Sequence, residues 1–106
     1  MAAISNKVAL AQSANTTAYG PVAAGKSAVV NINVSNRSTS GAKVRVAIST
    51  SAAPTAATDF IEYDIPVVAG GAPLLRTGEV LKAGEYVVIY TDGDACSARV
   101  SGFDKT

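Results

Sequence analysis

Residues Gly20–Ser27 read Gly-Pro-Val-Ala-Ala-Gly-Lys-Ser and fit the phosphate-loop pattern G-x-x-x-x-G-K-[ST], whose backbone N–H groups and lysine cradle nucleotide phosphates. That chemistry needs a strand before the loop and a helix after it, so that the helix N-terminus also points at the phosphates. Here the chain continues with Ala28, Val30, Ile32 and Val34 on one parity and Val29, Asn31, Asn33 and Ser35 on the other. This is period 2 and rich in β-branched residues, the pattern of a strand. The match at Gly20–Ser27 is therefore read as coincidental, with Ala24-Gly25-Lys26 a turn that launches a strand, and no cofactor is expected there. Val87–Asp92 imitates the apolar strand ending in an acid that holds Mg²⁺ in nucleotide hydrolases, but an Asp92-Gly93 turn explains the same letters.

The other reactive side chains are few. Histidine is absent, which removes the commonest general base and metal ligand and any Ser-His-Asp or Cys-His arrangement. Asp59, Glu62 and Asp64 are close in sequence, yet Glu62 and Asp64 fall on the solvent parity of a strand and read as a solvated face. Asp92-Gly93-Asp94 supplies too few oxygens for Ca²⁺, which takes six to eight. The single cysteine, Cys96, alternates with Ser97 and Arg99 and reads as a small buried hydrophobe. Tyr63, Tyr86 and Tyr90 could line a sugar-binding face, but Tyr86 and Tyr90 share the parity of Val88, which favours packing. No catalytic residue, metal site or cofactor is expected, and the chain is not expected to be an enzyme.

Composition narrows the partners. The 106 residues suit one domain with a single core. Hydrophobic residues make up 48%, but 20 of them are alanine and aromatics are only 6%, so the core must be thin and built from Val, Ile and Leu. Nine basic residues are scattered against eight acidic ones, without the basic stripe or aromatic platform that nucleic acid requires. The apolar stretch Val8–Ala11 is too short for the hydrophobic region of a signal peptide, and no run reaches the roughly 18 apolar residues of a membrane span. Neither nucleic acid nor membrane is expected as a partner.

The elements that must carry these residues are short strands. Lys7–Gln12 is the first candidate, with residues 1–6 before it as a possible extended arm. Thr16–Tyr19, Ala28–Val34 and a run presenting Val44, Val46 and Ile48 follow, the last two able to pair as a hairpin across the polar loop Asn36–Gly41. Ser49–Thr58, poor in large apolar groups and containing Pro54, reads as an exposed loop. Phe60–Ile65, Leu74–Leu81 and Tyr86–Thr91 continue the series. Asp92-Gly93-Asp94 then turns into a last strand whose inward face is Cys96, Ala98 and Val100, with Phe103 plugging the end of the core. The turn Lys82-Ala83-Gly84-Glu85 repeats the chemistry of Ala23-Ala24-Gly25-Lys26, and each precedes a Val-Val pair. No segment carries helical periodicity. The expected fold is all-β, a single antiparallel β-sandwich of roughly seven to eight short strands over residues 1–106, immunoglobulin-like or jelly-roll-like.

Several of these segments together resemble a family of small structural proteins of the tailed-bacteriophage virion. The resemblance is carried by Ala24–Arg37, Val44–Ile48, Asp59-Phe60-Ile61-Glu62-Tyr63-Asp64, Arg76-Thr77-Gly78, Leu81–Glu85 and Val100-Ser101-Gly102-Phe103, and it covers most of the chain. It implies a β-sandwich without catalytic residues that is made in the cytoplasm of the host bacterium and ends at the virion surface. The first expectation is a capsid decoration or cement protein that bridges major capsid subunits. The alternatives are a neck, tail or fibre-attached module, or a receptor- or carbohydrate-binding domain. Open sheet edges suit self-association, and a homo-oligomer, most simply a trimer, is expected.

Overall fold

The structure is a computed structural model and describes residues 1–105. Eight strands follow one another: β1 (Ala2–Ala9), β2 (Ala14–Tyr19), β3 (Ser27–Asn36), β4 (Ala42–Ser49), β5 (Phe60–Val67), β6 (Leu74–Leu81), β7 (Tyr86–Thr91) and β8 (Cys96–Lys105). A 3-10 turn, Ala57–Asp59, precedes β5. Two four-stranded antiparallel sheets form, in the orders β1-β8-β3-β6 and β2-β7-β4-β5. β1 pairs with β8, β2 with β7, β3 with β6 and β4 with β5, as in one long hairpin wrapped around a core. That order makes the sandwich a jelly roll, not the immunoglobulin arrangement.

The alternation read from the sequence sets the core. Ala28, Val30, Ile32 and Val34 of β3 face Val44 and Val46 of β4, Val87 and Ile89 of β7, and Ala98 and Val100 of β8, all essentially without solvent contact. Cys96 is buried there too, accepting a hydrogen bond at Sγ from Thr91 Oγ1 at 3.6 Å. The paired turns fold alike: the Lys26 N–H donates to Ala23 O and the Glu85 N–H to Lys82 O, both at 3.1 Å, with Gly25 and Gly84 at φ of 79° and 85°. Each launches a strand, β3 and β7.

Four expectations are corrected. Residues 1–6 are not an arm, because Ala2–Asn6 form the first part of β1, where Ile4 is buried and the backbone pairs with Val100–Asp104. β3 and β4 do not form a hairpin. Both have an apolar face, and they bury those faces against each other from opposite sheets, so the largely exposed Arg37–Gly41 link passes from one sheet to the other instead of turning within a sheet. Phe103 does not plug the core. On β8 the even positions Cys96, Ala98 and Val100 point inward, which sends Phe103 outward with Arg99, and it is 55% exposed.

Glu62 is not on the solvent parity. Two register shifts in β5 put it opposite core-facing Val46, while Asp64, at φ 53°, turns to the other side. Sequence alternation cannot show such bulges. The Ser49–Thr58 loop is largely exposed as expected, but its Pro54 is buried. The buried pair Ala47 and Val88 lies on the outward parity of the second sheet, apart from the main core, and the 3-10 turn ending this loop packs on β4 beside it.

Candidate functional site

The residues singled out for chemistry do not converge. Gly20–Ser27 runs through a loop into β3 with no helix after it, and Lys26 Nζ lies 3.9 Å from an Asp104 carboxylate oxygen. Gly20 is required by close approach: a Cβ there would sit 2.8 Å from Glu85 O and 2.9 Å from Tyr86 Cα. Asp92 accepts the Lys43 N–H of β4 at 2.7 Å through Oδ1, a contact between segments distant in sequence, and the turn's Gly93 N–H goes instead to Thr91 Oγ1 at 3.0 Å. Glu62 and Asp64 leave opposite sides of β5, Glu62 toward Arg76 at 3.5 Å and Asp64 toward Arg45 at 2.7 Å. Among the described residues no three Cys, Asp or Glu side chains gather where they could hold one metal ion.

The two outer faces differ. The outer face of the second sheet is dressed by its own side chains. Arg45 of β4 is held between the rings of Tyr63 and Tyr90, its guanidinium carbon 4.3 Å and 4.8 Å from their centroids, with Asp64 bonded to Nε. Phe60 meets Tyr63 edge-on at 5.2 Å. Such cation–π and charge-assisted contacts order the half-buried Arg45 guanidinium. The bond from Arg45 holds the Asp64 carboxyl below its ordinary value of 3.8. A lowered folded pKa contributes stability that is present above the ordinary value and lost as pH falls through the folded one. Asp64→Asn, which tolerates the same left-handed backbone, is therefore expected to flatten the fall of Tm below about pH 4 relative to the unsubstituted protein, measured by thermal melts across pH 2–6.

The outer face of the first sheet is bare. Register places Ala3 of β1, Phe103 of β8, Val29 of β3 and Val80 of β6 side by side in one row that crosses all four strands. Phe103 and Val80 are 55% and 62% exposed, Val29 39%, and none of the described residues covers them. Single exposed apolar residues are ordinary on a protein surface, whereas a contiguous row is not. The next row, Ser5, Ser101 and Asn31, is polar, and the Asn31 side-chain oxygen accepts the Gly78 N–H at the β6 bulge.

Beyond it Lys7, Arg99, Asn33 and Leu75 form a third row. There a groove of about 410 Å³ is lined by Lys7, Asn33, Ser35, Ser97 and Arg99. Arg37 reaches its rim, donating to Ser97 Oγ at 3.0 Å and 3.2 Å, and Arg99 donates to Ser5 Oγ at 3.4 Å. None of Lys7, Arg37 and Arg99 forms an ion pair with an acid among the described residues. An apolar row thus lies one polar row away from a groove whose positive charges are not ion-paired among the described residues, a surface that can dock a complementary one.

Sequence reasoning missed this face, although the signal was present. The inward set Cys96, Ala98 and Val100 already assigns Phe103 to the outside, and Val29 lies on the parity of Asn31 and Asn33. Two apolar residues on an otherwise polar parity were the clue. No family model, curated protein or solved structure matches the chain.

Proposed function

We propose that the protein is a non-enzymatic structural component of a tailed-bacteriophage virion, a capsid decoration or cement protein that docks on major capsid subunits and stabilises the shell. The observation that carries this reading is the row Ala3, Phe103, Val29 and Val80 across an uncovered sheet face. Burying exposed apolar area gains about 25 cal/mol per Å², and a face spanning four strands suits a broad contact with another protein. Lys7, Arg37 and Arg99, beyond an intervening polar row, favour a partner that carries carboxylates to one side of its own apolar patch, since complementary charge sets orientation and speeds encounter. The resemblance of Ala24–Arg37, Asp59–Asp64 and Val100–Phe103 to virion proteins gives that partner its setting.

A second reading, a carbohydrate-binding domain, draws on Tyr63 and Phe60, which with Thr55 and Ala57 line a hollow of about 350 Å³. One face of the Tyr63 ring is already taken by Arg45, which leaves less of it for stacking on a sugar. Counting copies in purified particles separates the roles. A cement protein occurs in hundreds of copies, a neck or tail part in tens or fewer, and a domain outside the virion in none.

A further inference from the structure

A jelly roll leaves four strand edges, and here they are not alike. β6 carries a bulge at Gly78 and turns Arg76 and Glu79 inward, where Arg76 bonds Glu79 at 2.9 Å and Glu62 at 3.5 Å across the gap between the sheets. β5 is broken by two register shifts and contains Pro66, which has no N–H to offer. β2 is six residues long and shifts register between Thr17 and Tyr19, and the carbonyl of intervening Ala18 is taken by the Asn6 side-chain amide at 3.2 Å. Bulges, proline and inward charge are the devices by which edge strands avoid pairing with another chain.

β1 has none of them. Its eight residues run in unbroken register against Ser97–Asp104, and Lys7 is its only charge. The Leu10 N–H donates to Cys96 O at 3.0 Å, so the even-numbered backbone groups of this segment face β8. The N–H and C=O groups of Ala3, Ser5, Lys7 and Ala9 then point outward along the edge, where none of the described strands meets them.

We propose that this edge pairs with the same edge of a second copy, β1 antiparallel to β1, joining the two first sheets into one of eight strands. The sequence of β1 is self-complementary for this. A two-fold axis at Ser5 sets Ala3 of each copy opposite Lys7 of the other, so small residues face the long ones and the two lysines stay about 13 Å apart along the strands. The pairing doubles the bare face described above without covering its apolar row. It does not depend on the virion reading, and its product is a dimer, not the trimer expected from the sequence.

Sedimentation equilibrium of the full chain tests it. The expected result is a concentration-dependent species of twice 10.7 kDa. Ser5→Pro removes an outward N–H and an exposed hydroxyl that accepts from Arg99 at 3.4 Å, but no bond of the β1–β8 ladder, so the fold is retained by circular dichroism while the dimer dissociation constant rises at least tenfold. Ala3→Lys, facing Lys7 across the axis, should weaken the dimer several-fold at low salt and less at high salt, and Ala3→Glu should tighten it. A 10.7 kDa species at every concentration up to roughly 100 µM, a trimer, or a dimer indifferent to Ser5→Pro and both Ala3 variants would overturn the proposal. A monomer whose Ser5→Pro variant loses attachment to particles would also overturn it, in favour of a strand from a different protein at this edge.

Discussion

Phe103→Asp is expected to leave the domain folded and to abolish its attachment to particles. Phe103 is largely outside the core, so the substitution should move Tm little, within the range of about 0.5 kcal/mol typical of surface changes. At the proposed docking face the expected consequence is large. Phe103 is the one aromatic ring in the apolar row and sits between Ala3 and Val29, the central, bulky kind of side chain that dominates interface energies. Truncating such a residue costs about 2 kcal/mol or more, a loss of roughly thirtyfold in affinity, and a buried carboxylate adds to it. Val80→Asp, at the far end of the row, should act in the same direction. The check is add-back of purified variants to particles lacking the protein, read as bound copies against free concentration. Equal binding by Phe103→Asp would remove the first sheet from the docking account.

The second large effect is on stability. Gly102→Ala should cost several kcal/mol, read as a fall in Tm of 10 °C or more by roughly 4–8 °C per kcal/mol for a domain of this size. Gly102 lies in β8 between Ile4 of β1 and Val30 of β3, at φ 154°, a backbone region that residues with a Cβ avoid. Strain of that kind costs about 1–3 kcal/mol. A Cβ would in addition run into the Val29 carbonyl and the Val30 Cα, backbone atoms that cannot swing aside. The glycine also explains the placement of the next residue, since a core-facing position without a side chain lets β8 and β3 approach closely just where Phe103 turns outward. A Gly102→Ala protein that melts within 2 °C of the unsubstituted one would contradict the close approach of β8 and β3.

These cases show what was legible in the sequence. β3, β4, β7 and the first half of β8 were readable because their β-branched residues alternate without interruption, and burial of one parity follows from the pleat. The twin Ala-Gly turns were readable because glycine at their third position meets a demand for positive φ. Pairing was less accessible. Val30 and Val46 look like neighbours in a hairpin, and only the arrangement of all eight strands assigns them to opposite sheets. β5 and β6 were read with a single parity, which the bulges at Asp64 and Gly78 reverse midway, so that Glu62 and Arg76 meet between the sheets instead of in solvent. The proposed docking face was hidden for a related reason. At Phe103 the apolar letter suggests core, whereas there, as at Val29 and Val80, the strand parity outweighs the letter.

The same contrast separates the false site from the candidate one. Gly20–Ser27 has the spacing of a phosphate cradle, but the strand after it and the turn within it, with Gly25 at positive φ, are what a jelly roll needs to start β3. The candidate face has no motif at all, because it is assembled from four strands that are distant in the chain and adjacent only in register.

The measurement that bears most directly on the function proposed is the number of copies of this chain per purified phage particle, obtained by quantitative mass spectrometry against the major capsid protein. A cement role predicts hundreds of copies in fixed ratio to capsid subunits. Its absence from particles, or a count of tens or fewer, would contradict that role.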